Sequence, residues 1–93
     1  MSDPCIRRRF VVAGRVQGVG YRWYAQLWGE RLGLRGWVSN REDGTVESEA
    51  EGRPDTVREY ESRLRAGPAG ARVDAVETTE RKAEGGPAVF DIL

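Results

Sequence analysis

Between a β-forming run and an amphipathic stretch lies Gly14-Arg15-Val16-Gln17-Gly18-Val19-Gly20, with three glycines in seven positions. Such a density of glycine interrupts both strand and helix and admits backbone angles closed to other residues. Upstream, residues 7–13 are rich in β-branched and aromatic side chains, with Phe10 and Val12 on one face, and predict a strand. Downstream, Tyr24, Leu27 and Trp28 fall at i, i+3 and i+4 with Leu32 one turn on, predicting a helix over 21–32 that Gly33 ends. The chain is therefore committed here to a strand, a structured loop and a helix.

The remaining elements follow from turn chemistry and periodicity. Residues 36–40 and 45–51 flank Arg41-Glu42-Asp43-Gly44, whose Asp-Gly pair suits a β-hairpin. In the second of these strands Val46, Ser48 and Ala50 alternate with Glu47, Glu49 and Glu51, so the glutamates are expected to face water. Pro54 opens a second helix over 54–66, with Val57, Tyr60 and Leu64 on one stripe and Gly67-Pro68 as its stop. Residues 71–79 predict a strand with a bulge near Ala75, and residues 88–92 a short final one.

The order β-α-β-β-α-β plus a terminal strand is that of an α+β, ferredoxin-like sandwich (split βαβ), an antiparallel sheet with two helices on one face. A right-handed crossover through the first helix makes the first two strands run the same way, so residues 14–20 and Asn40 meet at one edge. With the third strand between them, they stand about 10 Å apart, a gap that a small anion and Arg22 can fill.

Composition limits what such a fold can do. Ninety-three residues, 39% hydrophobic and 32% charged, predict one small soluble domain spanning 1–93, with residues 1–6 flexible. No stretch approaches the roughly 20 apolar residues of a membrane span, and Arg7, Arg8 and Arg9 stand where a secretory segment would be apolar, so a cytoplasmic location is expected. One cysteine, Cys5, and no histidine exclude an internal disulfide, an ordinary zinc site and histidine acid–base chemistry. The 15 bases and 15 acids cancel, against a nucleic-acid binder, yet residues 1–46 carry eight arginines against four acids. An anion site is expected in that half.

A glycine-rich turn feeding a helix aims unpaired N–H groups and the positive end of the helix dipole at one point, which suits phosphate. Arg22 lies in that first turn, and its planar guanidinium can hold two phosphate oxygens. The loop is not a Walker motif, since Tyr21 and Arg22 stand where Lys and Ser/Thr are required. Trp23 at the third glycine position likewise excludes the dinucleotide fingerprint.

Residues 14–22, ending in Gly20-Tyr21-Arg22, together with Gly36-Trp37-Val38-Ser39-Asn40 resemble the signature of the acylphosphatases. The resemblance extends through Asp43-Gly44-Thr45-Val46, Glu51-Gly52 and Gly67-Pro68 ahead of Ala71-Arg72-Val73, nearly the whole chain. It implies the ferredoxin-like fold and metal-independent, cofactor-free hydrolysis of small acylphosphates to carboxylate and inorganic phosphate by water attack, in a monomer. By position, Arg22 corresponds to the family's phosphate-binding arginine and Asn40 to the asparagine that orients water. Arg15, Val16, Gln17, Gly18, Val19 and Gly20 correspond to the backbone cradle. Tyr21 replaces the commoner phenylalanine, a change expected to be silent. Ser39 replaces a frequent basic residue, which would weaken substrate attraction.

Other readings set expectations of their own. The same fold hosts noncatalytic RNA- or ligand-binding modules, and Trp23, Trp28, Trp37, Tyr24 and Tyr60 could stack on bases. Zero net charge and the lack of alternating aromatic and basic residues around Trp37 favour core packing for these aromatics. Arg7, Arg8 and Arg9 read as a solvated strand entry, and Cys5 as an inert thiol. A carbamoyl-phosphate-processing domain of a hydrogenase maturation protein is a further relative, disfavoured by the 93-residue length.

Overall fold

The structure is a computed structural model that describes residues 4–93. Seven elements follow one another: β1 (Ile6–Arg15), α1 (Tyr21–Arg31), β2 (Arg35–Asn40), β3 (Val46–Gly52), α2 (Pro54–Ala66), β4 (Arg72–Arg81) and β5 (Phe90–Ile92). The strands form one sheet in the order β4-β1-β3-β2-β5. β3 lies between β1 and β2 and runs antiparallel to both, so those two strands end at the same edge. The ferredoxin-like order holds, with one difference: β5 pairs parallel with β2, so the sheet is mixed. Of the amino-terminal residues expected to be flexible, 1–3 lie outside the described residues and Ile6 already pairs with Gly52.

Alternation sends Phe10, Val12, Val38, Val46 and Ala50 to the face that the helices cover, where all are fully buried with Val57, Tyr60 and Leu64 of α2. Phe10 meets Tyr60 edge-on at 5.8 Å between ring centroids, and Tyr60 meets Phe90 at 5.4 Å. Ser48 is buried in this layer because its hydroxyl donates to the Trp37 carbonyl at 2.7 Å. The Tyr60 hydroxyl, 2.8 Å from Ser48 Oγ, therefore donates to it.

On α1 the buried positions are Tyr21, Ala25 and Gly29, not the expected stripe of Tyr24, Leu27 and Trp28. The helix lies so close to β5 that a Cβ on Gly29 would come within 2.4 Å of the Phe90 ring, so the contact line takes small residues. Tyr24 and Trp28 turn towards α2, where Tyr24 donates to the Arg63 carbonyl and the Arg63 guanidinium stacks 3.9 Å over Trp28. Tyr21 makes a contact that a phenylalanine would lack. Its buried hydroxyl donates to the Leu64 carbonyl at 2.6 Å, and burial pushes its ionisation far above the ordinary phenol range.

Register also decides the opposite face. Arg7, Glu51 and Arg35 lie in one row across β1, β3 and β2. Glu51, expected in water, is fully buried: the connection from β4 to β5 must cross from one sheet edge to the other, and it passes over this carboxylate. Glu51 accepts from the backbone N–H groups of Glu84 (2.7 Å) and Gly85 (2.8 Å) and from Arg35 Nε at 2.7 Å. Arg7 adds a contact at 3.3 Å. The arginines of the strand entry are thus engaged rather than merely solvated: Arg7 is buried against Glu49 and Glu51, Arg8 pairs with Glu80, and Arg9 with Glu47. The bulge expected near Ala75 is present one residue earlier, where Ala13 pairs with Ala75 but Gly14 with Val73. Gly14 is required there, since a Cβ would stand 2.1 Å from the Arg72 carbonyl oxygen.

Candidate active site

The first turn of α1 carries N–H groups that the helix itself cannot satisfy. Its N-cap, Gly20, has φ 76° and no side chain to donate or accept, so no side-chain cap closes the turn. Gly18, at φ 74°, takes the same left-handed conformation, which other residues reach only with strain. Around these glycines the loop is anchored by side chains. Val16 is buried, Val19 packs against the core, and Gln17 Nε2 donates to the carbonyls of Arg41 (2.8 Å) and Thr45 (2.9 Å) in the β2–β3 hairpin. These contacts fix the loop in place.

What it faces is a cavity of about 220 Å³ lined by Val16, Gly18, Gly20, Tyr21, Arg22, Trp23, Asn40 and Ile92. The two expected catalytic residues therefore meet, although 18 positions separate them. Asn40 arrives because it ends β2 opposite Val46, which in turn pairs with Val12 near the end of β1. Of the expected cradle, Val16, Gly18 and Gly20 line the cavity, whereas Arg15, Gln17 and Val19 do not. Arg15 is exposed at the end of β1, paired with Arg72 in register.

Two features give this cavity its chemistry. The Asn40 carbonyl oxygen Oδ1 is buried with no hydrogen-bond partner in the structure. Such an acceptor costs about 1–3 kcal/mol when left unpaired, so it is not there for stability. Arg22, half-buried, forms no ion pair with a carboxylate among the described residues. It pairs with neither Glu30 nor Asp43; Asp43 is instead held by Thr45, whose N–H and hydroxyl donate to it at 3.0 and 2.6 Å and keep its carboxyl below the usual range. The cavity thus presents a cation and a neutral acceptor at the start of a helix, a set that suits an anion and one water.

A second, larger groove, about 570 Å³ and lined by Glu49, Arg81, Lys82, Ala83 and Glu84, opens beside the crossover on the other side of the sheet. It contains neither Arg22 nor Asn40. The acylphosphatase family model matches residues 8–92. The chain belongs to the acylphosphatase family. Its relatives include an acylphosphatase from Anaeromyxobacter dehalogenans, 46% identical over 92 residues that cover 99% of this chain and 98% of that one. Among solved structures, the acylphosphatase from Bacillus subtilis superposes with a TM-score of 0.90 at 35% identity, covering 95% of this chain and 98% of the other. One from Coxiella burnetii gives 0.90 at 32% identity, covering 96% and 93%. As a family member the chain is a hydrolase of small acylphosphates.

Two lining residues were not legible as site residues. Trp23, expected in the core, is 65% exposed at the cavity, and Ile92, 39% exposed, reaches it from the far end of the chain. The position of Trp23 beside Arg22 in a helical first turn was a signal available in the sequence; Ile92 had none, because only the parallel pairing of β5 brings it there. Cys5 is free and exposed. No helix among the described residues is long and apolar enough to cross a membrane.

Proposed function

We propose that Arg22 and the amide-bearing start of α1 grip the phosphoryl group of an acylphosphate while Asn40 presents the attacking water. The observation that carries this reading is the buried, unpartnered Oδ1 of Asn40 in the same cavity as Arg22. A water donating one hydrogen bond to Oδ1 is held with its lone pair free to attack phosphorus, which removes orientational entropy from the barrier. The fork of Arg22 and the N–H groups around Gly18 and Gly20 neutralise charge on the equatorial oxygens.

The step balances without a general acid. Water oxygen bonds to phosphorus, the bond from phosphorus to the acyl oxygen breaks, and its electron pair leaves on a carboxylate whose parent acid has a pKa of about 4. The proton shed by the water passes to a phosphate oxygen of the substrate, since an amide is no base. This site uses no metal ion or cofactor, and the protein acts as a cytoplasmic, monomeric single domain without nucleic acid. Internal pairing of Arg7, Arg8 and Arg9 supports the last point, because those cations are already neutralised by the sheet's own glutamates.

Hydrolysis of benzoyl phosphate in the presence of chelator tests the assignment. Arg22→Ala is expected to lose most activity and its affinity for inorganic phosphate, whereas Asn40→Ala loses activity but keeps phosphate binding. Full turnover by a folded Asn40→Ala protein overturns the water-positioning role, and activity abolished by chelator overturns metal independence.

A further inference from the structure

Large apolar side chains on the surface of this protein are few, and they are not scattered. Among the described residues the exposed ones are Trp23, Val89, Ile92 and Leu93, and two of these, Trp23 and Ile92, line the cavity that holds Arg22 and Asn40. Trp23 leaves 65% of its surface in water, a placement that folding alone does not favour, because burying an indole is among the largest apolar gains available. Polar side chains elsewhere in the lining are limited to Tyr21, Arg22 and Asn40, and no carboxylate contributes. The Tyr21 hydroxyl is already spent on Leu64, Arg22 is the cation suited to the phosphoryl oxygens, and Asn40 offers an acceptor.

The remaining part of an acylphosphate is its acyl group, which has only the apolar rim to touch. Resting on the hydrolase reading above, we propose that Trp23 and Ile92 form the acyl subsite and select substrates with an aromatic or branched apolar acyl group over small or charged ones. Contact with a part of the substrate remote from phosphorus stabilises ground state and transition state alike, so the selection appears in KM rather than kcat. An aromatic ring against an exposed indole corresponds to about a three- to tenfold change in affinity.

Steady-state kinetics with benzoyl phosphate and acetyl phosphate tests this in the native protein, Trp23→Ala, Trp23→Phe and Ile92→Ser, with Val89→Ser as an exposed apolar control outside the cavity. The native protein is expected to show a several-fold lower KM for benzoyl phosphate. Trp23→Ala and Ile92→Ser raise that KM towards the acetyl value, Trp23→Phe restores most of the preference, and Val89→Ser leaves the ratio as it was. Inhibition by inorganic phosphate, which has no acyl group, is read alongside and is expected to be shared by native protein and rim variants. Equal KM values for the two substrates in the native protein, or a Trp23→Ala effect of the same factor on both, overturns the acyl subsite while leaving the hydrolase reading intact. Native protein that turns over neither substrate overturns both.

Discussion

The Gln17 carboxamide donates to the Thr45 carbonyl at 2.9 Å, and the same nitrogen donates to the Arg41 carbonyl at 2.8 Å. Those carbonyls flank the hairpin turn that follows Asn40, so one side chain ties the glycine-rich loop to the strand end that carries Asn40. Gln17 thus does not line the cavity but fixes the distance between its two halves.

Gln17→Leu removes both bonds, and the two carbonyls keep only their backbone partners, the N–H of Arg41 for Thr45 and the N–H of Gly44 for Arg41. We expect a loss of about 1–2 kcal/mol of stability, measured by urea denaturation, and a fall of about tenfold in kcat/KM for benzoyl phosphate. Unaltered kinetics in the folded variant would show that the loop holds its place without this tie.

Glu51 predicts an acid-sensitive fold. Burial by itself raises the pKa of this carboxyl, but the N–H groups of Glu84 and Gly85, with Arg35 and Arg7, outweigh that and hold it at about 2, below its ordinary value of 4.5. A depressed folded pKa contributes stability that is fully present above the unfolded pKa and is lost as pH falls through the folded one. Melting temperature should therefore decline from about pH 5 towards pH 2, and Glu51→Gln should flatten part of that decline while lowering stability at pH 7 by about 3 kcal/mol. Parallel pH profiles for the two proteins would sink the assignment.

Tyr21→Phe keeps the ring in the core but deletes the donor to Leu64, leaving a buried carbonyl near the end of α2. A destabilisation of about 1–2 kcal/mol is expected by thermal or chemical denaturation. An equally stable variant would mean that the carbonyl finds another donor.

Arg22→Lys keeps the charge and removes the fork. If bidentate geometry matters at this site, kcat for benzoyl phosphate falls by about a hundredfold or more, because a point charge cannot span two equatorial oxygens. Near-native turnover by the lysine variant would reduce the role of Arg22 to net charge alone.

The sequence by itself determined the order of elements, the strand edge at which loop and asparagine meet, and the pairing of Arg22 with Asn40, because turn chemistry, strand alternation and the handedness of crossovers are local rules that chain neighbours enforce. Strand alternation misread Glu51, and Trp23, expected in the core, is exposed. A glutamate in strict alternation is expected in water, and nothing local announces that residues 84 and 85 will close over it. Only the tertiary structure decided that this carboxylate is buried, that Tyr21 bonds to a carbonyl 43 residues away, and that Ile92 joins Trp23 at the cavity. Each depends on a contact between segments far apart in the chain, whose partners become defined once the sheet has set its register and the last connection has crossed it.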